Sequence, residues 1–129
     1  MKLFESEREF TGWVLKEARS RGWLAAHLGN VQIRRGHGGI PVPVPDPDAK
    51  GFPDLVLVHD QLGVVWAELK MPDRGGRPGA LRPAQIVWLR ALRATGETVY
   101  VWGPSDQNEI ADVLDGERSG SRLFEEAGV

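Results

Sequence analysis

Hydrophobic residues recur with two different periods along this chain, and each period predicts a different element. From Ser6 to Arg21 they recur every three or four positions, which is the spacing of one face of a helix. Ser6 and Glu9 have the spacing of a capping box, so we expect the first helix to begin there. The apolar stripe of this helix consists of Phe10, Trp13, Val14 and Ala18.

The same helical period returns twice in the second half of the chain. It predicts a helix from Leu81 to Thr95, with Pro83 in its first turn, and a shorter helix from Asp106 to Leu114. Asp106 is followed three residues later by Glu109, which predicts a second capping box. Gln85 lies on the core-facing stripe of the Leu81 helix, a costly position unless its amide finds hydrogen-bond partners.

Short apolar runs between the helices predict four strands. A turn at Gly63 joins the second and third strands into a hairpin. The order of elements predicts an α/β domain with a mixed four-stranded sheet flanked by helices. A right-handed crossover would put the first helix and the Leu81 helix on opposite faces of that sheet. The predicted strands are Trp23 to Leu28, Asp54 to His59, Val64 to Lys70 and Thr98 to Trp102.

A segment rich in proline and glycine, from Gly29 to Lys50, interrupts this order. Four prolines fall between Pro41 and Pro47, which favours extended, polyproline-like backbone and excludes a helix. We therefore predict a long irregular loop here. Loops of this length inside a compact domain are usually functional or disordered.

Composition places the chain among ordinary soluble globular proteins. Its 129 residues are 41% hydrophobic and 26% charged, which predicts one domain over residues 1–129 with a polar tail at 115–129 that frays or packs on a partner. The absence of cysteine excludes disulfides and thiolate metal sites. We expect a cytoplasmic protein, because the N-terminal residues lack the apolar region of a signal peptide.

Polar residues interrupt the apolar hairpin at one rim. Asp54 begins its first strand and Glu68 and Lys70 end its second, so antiparallel pairing brings the three together. Glu68 and Lys70 share a face because side chains alternate along a strand. Neighbouring carboxylates repel each other unless a cation lies between them. Mg²⁺, with Mn²⁺ as a substitute, favours such oxygen ligands, and the backbone carbonyl of Leu69 is a candidate third ligand.

Lys70 adds a reactive group to this predicted metal site. A lysine beside a metal can orient or deprotonate a bound water, or stabilise charge on a phosphate oxygen. The combination indicates metal-assisted hydrolysis of a phosphodiester.

Basic residues are concentrated near the predicted site, although the net charge of the chain is −2. Between Lys70 and Arg93, four arginines stand with Asp73 as the only acid, a balance that can hold a phosphate backbone. The glycine- and proline-rich segment adds a second basic group, which we interpret either as a substrate-facing flap or, equally well, as a solvated loop. The candidate DNA-binding residues are Arg34, Arg35, His37, Arg74, Arg77 and Arg82.

These residues resemble the motifs of a known family. Pro53-Asp54 and Glu68-Leu69-Lys70 match the PD-(D/E)XK nuclease signature, and Gly51-Phe52 together with Gln85-Ile86-Val87-Trp88 resembles its VRR-NUC branch in the small stand-alone form. The resemblance covers about residues 7–114. It implies a restriction-endonuclease-like core and a metal-dependent DNA endonuclease that acts on structured or branched DNA, often as a homodimer.

The resemblance also implies roles for individual side chains. Gln85 would align Lys70 or contact the scissile phosphate, and Glu7 would complete the metal site, although the helix dipole alone also favours an acid at that position. A dimer contact would come from Trp13, Trp66 or Phe124, which we expect to be exposed. The predicted catalytic set is Asp54, Glu68, Lys70, Gln85 and Glu7, and the predicted metal ligands are Asp54, Glu68 and the Leu69 carbonyl.

Two other interpretations of the rim remain open at this point. The first is a module that binds DNA or protein on a nuclease-like fold without cutting. The second takes Asp54 as a cap and Glu68 with Lys70 as a surface ion pair that contributes less than about 1 kcal/mol. His27 fits a strand residue with a satisfied hydrogen bond better than a metal ligand.

Overall fold

A computed structural model of the protein describes residues 2–28, 31–35, 41–45, 49–77 and 79–117. Within these residues the chain forms three α-helices, a short 3₁₀ helix over Pro104–Asp106 and six strands. In chain order the elements are α1 (Glu7–Ser20), β1 (Leu24–His27), β2 (Val31–Arg35), β3 (Pro41–Pro45), β4 (Leu55–His59), β5 (Gly63–Leu69), α2 (Pro83–Ala94), β6 (Thr98–Trp102) and α3 (Gln107–Leu114).

Helix α1 begins where the sequence predicts. The Ser6 hydroxyl accepts a hydrogen bond from the Glu9 N–H at 3.1 Å, which satisfies one of the free donors of the first turn. The Glu9 carboxylate accepts from the Glu5 N–H at 2.8 Å, so the acid binds one residue before the cap rather than closing the predicted capping box. Phe10, Val14 and Ala18 are fully buried on the inner face of the helix.

Four strands form the mixed sheet that the sequence predicts, in the order β1-β4-β5-β6. The β1–β4 and β4–β5 pairs are antiparallel, and β5 pairs with β6 in parallel. Helix α2 makes the connection that a parallel pair requires. The register places Leu55 opposite Ala67 and Glu68 beside Val101.

The two faces of the sheet are covered by different helices, as predicted. Odd-numbered residues of β5 join the core cluster that contains α1 and α3, whereas Trp66 packs with Leu89 of α2. Full burial of each large apolar side chain stabilises the fold by about 1.5–3 kcal/mol. Burial on both faces is therefore what fixes which side chains of β5 point toward α2. The members of the α1 cluster on β4 and β5 are Leu55, Leu57, Val65, Ala67 and Leu69.

The predicted irregular loop between residues 29 and 50 is wrong in part, because β2 and β3 pair as an antiparallel hairpin. Proline lacks an N–H, yet Pro41, Pro43 and Pro45 all lie in β3. Backbone N–H groups alternate between the two edges of a strand, so prolines at every second position leave the N–H groups of Val42 and Val44 for β2. Extended backbone was the correct part of the prediction.

The start of α3 differs from the predicted capping box. Asp106 ends the 3₁₀ helix, and its carboxylate accepts a hydrogen bond from the Gly103 N–H at 2.8 Å, one turn earlier than predicted. Its side chain does not cap α3. The far end of α3 is held by the Trp23 indole N–H, which donates to the Leu114 carbonyl at 2.9 Å.

Two of the three aromatic residues predicted to be exposed are not. Trp13 is half-buried and packs on Phe4 and Phe10, and Trp66 is half-buried with its indole N–H donating to Glu97 at 2.9 Å. Phe124 lies outside the described residues. In the part of the chain that the structure describes, no helix has the length and apolar character needed to cross a bilayer.

Candidate active site

Asp54 and Glu68 meet at the rim of the β4–β5 hairpin. Leu55 pairs with Ala67, so the next step of the ladder puts Asp54 opposite Glu68 on the same face of the sheet. The Asp54 carboxylate also accepts a hydrogen bond from the Leu69 N–H at 2.8 Å, which crosses the strand pair. The two acids therefore converge as the sequence predicts.

Glu68 is almost fully buried, with 3% of its surface exposed. Burial, followed by the charge of Asp54 and a hydrogen bond with Asp54, raises the pKa of Glu68 to about 9. The charge of Glu7 raises this pKa further, and the charge of Lys70 opposes the rise. Glu68 therefore carries a proton near neutral pH unless a cation replaces it.

One oxygen of Glu68 is left over. Oε1 accepts from the Gln85 amide at 3.1 Å, whereas the buried Oε2 receives no hydrogen bond from any residue that the structure describes. A buried carboxylate oxygen without a partner is costly, and a proton shared with Asp54 or a bound cation would satisfy it. The hydrogen bond between Glu68 and Asp54 requires such a proton, because two ionised carboxylates have no donor between them. The need for a proton or a cation at this buried oxygen is the observation that most favours a ligand at the rim.

Gln85 connects the rim to the start of α2. Its amide nitrogen donates to Glu68, and its amide oxygen accepts from the Arg82 N–H at 2.8 Å. Both polar atoms of the amide are thus hydrogen-bonded, which offsets the free-energy cost of burying a glutamine on the inner face. Its contacts are with Glu68 and the helix cap, not with Lys70.

A close backbone contact holds α2 over the rim. Gly51 has a φ of +83°, and a Cβ atom there would lie 2.5 Å from the Ala84 carbonyl oxygen. The Trp88 indole N–H donates to the Lys50 carbonyl at 3.1 Å, and the Phe52 ring packs edge-on against Trp88 at 4.7 Å. Sequence reasoning noticed Gly51 only as part of a family motif. The sequence carries no signal for this contact beyond the glycine itself.

Lys70 continues the strand beyond Leu69. Its N–H donates to the Trp102 carbonyl at 2.9 Å, and its half-buried side chain leaves β5 on the Glu68 face. Among the described residues it forms no ion pair within 4 Å. Because Glu68 is buried and unpaired with Lys70, the surface ion pair interpretation does not describe this rim.

Glu7 is the first residue of α1 and is exposed. Its charge acts on Glu68, which means that the N-terminus of α1 lies close to the rim. The position is also one that the helix dipole favours, so the two interpretations of Glu7 are compatible.

The arginines predicted to bind DNA differ in their surroundings. The loop after β5 is folded around Asp73, whose carboxylate accepts from the N–H groups of Gly75 and Arg77 at 2.9 Å each. Arg77 also forms an ion pair with Asp73 at 3.1 Å. Arg74 and Arg82 are exposed.

The second basic group is only partly described. Arg34 and Arg35 lie in β2, opposite Val42 and Pro41, rather than in an irregular flap. His37 lies outside the described residues. Whether these side chains contact a nucleic acid stays a prediction.

The donor set at the rim fits a hard cation that keeps much of its water. No group of three or more histidine or acidic side chains in the described ranges is arranged to hold a metal ion. Mg²⁺ is commonly bound by one or two carboxylates with water and phosphate oxygens as its other ligands. Asp54 and Glu68, with one buried oxygen unpaired, meet that smaller requirement.

Compared with known protein families, curated proteins and solved structures, the chain matches none of them. The described residues form a mixed four-stranded sheet flanked by helices.

Proposed function

We propose that the protein is a Mg²⁺-dependent DNA endonuclease, able to use Mn²⁺, with a restriction-endonuclease-like core of the VRR-NUC branch of the PD-(D/E)XK superfamily. The proposal depends on one observation. Two acids from neighbouring strands converge on one face, and the buried Oε2 of Glu68 has no hydrogen-bond donor among the described residues.

Asp54 and Glu68 would hold the metal, with the Leu69 carbonyl as a third ligand. When bound, the metal would lower the pKa of a coordinated water and neutralise charge on phosphate oxygens. The hydrogen bond from the Leu69 N–H fixes one oxygen of Asp54, and the Gln85 amide fixes one oxygen of Glu68. Each acid therefore keeps its other oxygen for the ligand, in an orientation set before the ligand arrives.

Lys70 would position or activate the attacking water. Its half-buried side chain has no carboxylate partner within 4 Å in the described ranges, so its ammonium is available to a water or a phosphate oxygen. Gln85 would act through Glu68, by holding its carboxylate, rather than by touching Lys70. Glu7 would add negative charge in the outer part of the metal site.

Structured or branched DNA is the substrate that we propose, with a homodimer as the assembly. Of the candidate phosphate contacts, Arg74 and Arg82 are exposed, and Arg77 would first have to share or leave Asp73. Arg34, Arg35 and His37 complete the proposed set.

Replacing Asp54 or Lys70 with alanine tests the proposal. Cleavage of linear, nicked, flapped and four-way DNA with Mg²⁺ should fall by about 10²-fold or more, because each variant removes a group that acts on the reacting atoms. Asp60→Ala and Lys16→Ala are matched controls for lost charge at exposed positions, and both should cut at the wild-type rate. Wild-type cleavage by D54A or K70A would refute the site, and the mass in solution would test the dimer.

A binding module that does not cut is the second candidate, and two observations favour it. The raised pKa of Glu68 leaves a proton where a metal would bind, and three side-chain ligands are not assembled in the described residues. Calorimetry with Mn²⁺ separates the two functions. A nuclease should take up Mn²⁺ with a loss in the Asp54→Asn and Glu68→Gln variants, whereas a pure binding module should take up none that depends on these acids.

A further inference from the structure

A groove of about 630 Å³ follows α1 on the face of the sheet opposite α2. It is built from successive turns of α1 and from the last residue of β1. His27 belongs to this face because it pairs with Leu55, which packs under α1. The groove is lined by Glu7, Arg8, Thr11, Gly12, Leu15 and His27.

One end of the groove adjoins the acids of the rim. Glu7 lines that end, and its charge acts on Glu68. Just after β1, the Leu28 N–H donates to the Asp54 carbonyl at 2.7 Å. Leu28 therefore lies beside Asp54, and His27 is the residue before Leu28. A chain molecule bound by the acids on the α2 face would have to cross the end of β4 to enter this groove on the α1 face.

The rest of the groove carries cationic and donor groups that nothing in the described protein occupies. Arg8 and His27 are both exposed, and neither forms an ion pair with a described residue. Arg19 and Arg21 of the same region are used differently, since Arg19 donates to the Ala25 carbonyl and Arg21 pairs with Glu17. Within the described ranges, no ion pair holds the side chain of Arg8.

Gly12 keeps the groove open. Glycine within a helix costs about 0.5–1 kcal/mol relative to alanine, so its presence needs a reason. Packing does not supply one, because a Cβ atom at Gly12 would meet nothing within 4 Å. A missing side chain in the wall of a groove leaves room for a ligand.

We propose that this groove is a subsite for the nucleic-acid strand, in which Arg8 and His27 donate to phosphates next to the reacting one. The inference rests on the proposed function, and it adds contacts on the face that the arginines around α2 do not reach. Arginine and histidine donors suit phosphate oxygens, and the apolar wall at Gly12 and Leu15 suits a sugar or base.

The test is binding of a labelled DNA duplex and a labelled single strand by fluorescence polarisation, in EDTA and in Ca²⁺, over a range of salt. R8A and H27A should each bind about tenfold more weakly, as expected for a lost hydrogen bond to a charged group. On duplex DNA, R8A should also reduce the slope of log affinity against log salt by about 0.9, because the fixed charge of Arg8 neutralises one phosphate. Lys16→Ala, which removes an exposed cation of α1 outside the groove, should leave the slope within error.

Two substitutions at Gly12 distinguish a blocked groove from a misfolded protein. Gly12→Trp should fill the groove and weaken binding strongly, whereas Gly12→Ala, which adds only a methyl group to the groove wall, should weaken binding less and melt at a higher temperature than the wild type. If the wild type binds DNA while R8A, H27A and G12W bind equally well with wild-type slopes, the groove is not a subsite and the proposed nuclease stands. If the wild type neither binds nor cuts DNA under any condition, the proposed function fails and the inference fails with it.

Discussion

The two ends of the β4–β5 hairpin differ in whether their polar groups have hydrogen-bond partners among the described residues. At the turn, the His59 Nδ1 accepts from the N–H groups of Gln61 and Leu62 at 3.1 and 3.3 Å, and Gly63 adopts a φ of +96° in open space. At the rim, two acids face each other and a buried oxygen lacks a donor from the described residues. The polar groups of the turn are satisfied, whereas the buried oxygen at the rim lowers the stability of the folded protein.

The largest expected difference between the two ends is in their response to pH. Because the pKa of Glu68 is raised from 4.5 to about 9, the unfolded chain releases this proton at a lower pH than the folded protein. The free energy of unfolding should fall as pH rises from about 4.5 to about 9, with a slope approaching about 1.4 kcal/mol per pH unit. Denaturation of wild type and Glu68→Gln in EDTA from pH 5 to pH 9 measures this slope.

Glu68→Gln should be the more stable protein at pH 8–9, because its amide is never ionised. Asp60→Asn, at the exposed turn, should give a curve parallel to the wild type. Parallel curves for Glu68→Gln and the wild type would mean that Glu68 ionises normally in the folded protein.

The next largest effect should come from glycines with a positive φ near each end. Gly51→Ala combines a strained backbone with steric overlap on Ala84, so we expect the free energy of unfolding to fall by about 2–5 kcal/mol. In Gly63→Ala the backbone is strained but the new Cβ atom meets no neighbour, so the free energy of unfolding should fall by only about 1–2 kcal/mol. Urea denaturation of both variants gives the difference, and equal losses would show that α2 does not press on Gly51.

Divalent cations should bind at the rim of the hairpin and not at its turn, and this binding should stabilise the folded protein. At a Mg²⁺ or Mn²⁺ concentration 100 times the dissociation constant, binding stabilises the folded state by about 2.7 kcal/mol. Binding should also release a proton from Glu68 near pH 7, since a metal displaces it. Melting curves and calorimetry in two buffers of different ionisation enthalpy measure both effects, and Glu68→Gln should lose them while Asp60→Asn keeps them.

The smallest expected difference is in stability, between an alanine substitution of a glutamine at the rim and one at the turn. Gln85→Ala leaves Glu68 Oε1 and the Arg82 N–H without their partner and should cost about 1–3 kcal/mol. Gln61→Ala, at the exposed turn, should change stability by less than about 0.5 kcal/mol. If the two variants unfold at the same denaturant concentration, the Gln85 contacts contribute nothing.

Local patterns predicted most of the fold. Apolar spacing located α1, α2 and all four strands of the main sheet, because burial on one or two faces leaves a period in the sequence. The β2–β3 hairpin was missed since proline argues against strands in general, and only its alternation at Pro41, Pro43 and Pro45 makes the pairing permissible.

The site was predicted as a set of residues but not as an arrangement. Alternation along β5 was sufficient to place Glu68 and Lys70 on one face and Leu69 on the other. The partner of Gln85 was not predictable, because it depends on how closely Gly51 lets α2 approach the sheet. The groove along α1 was missed for a similar reason, since a helix glycine without strain leaves no mark in an apolar pattern.

The alternating prolines of β3 have a further consequence. Because proline has no N–H, Pro41, Pro43 and Pro45 leave the edge of β3 that faces away from β2 without N–H donors for another strand. A second molecule cannot pair with this edge as a regular strand, so this edge of the hairpin is protected from edge-to-edge aggregation.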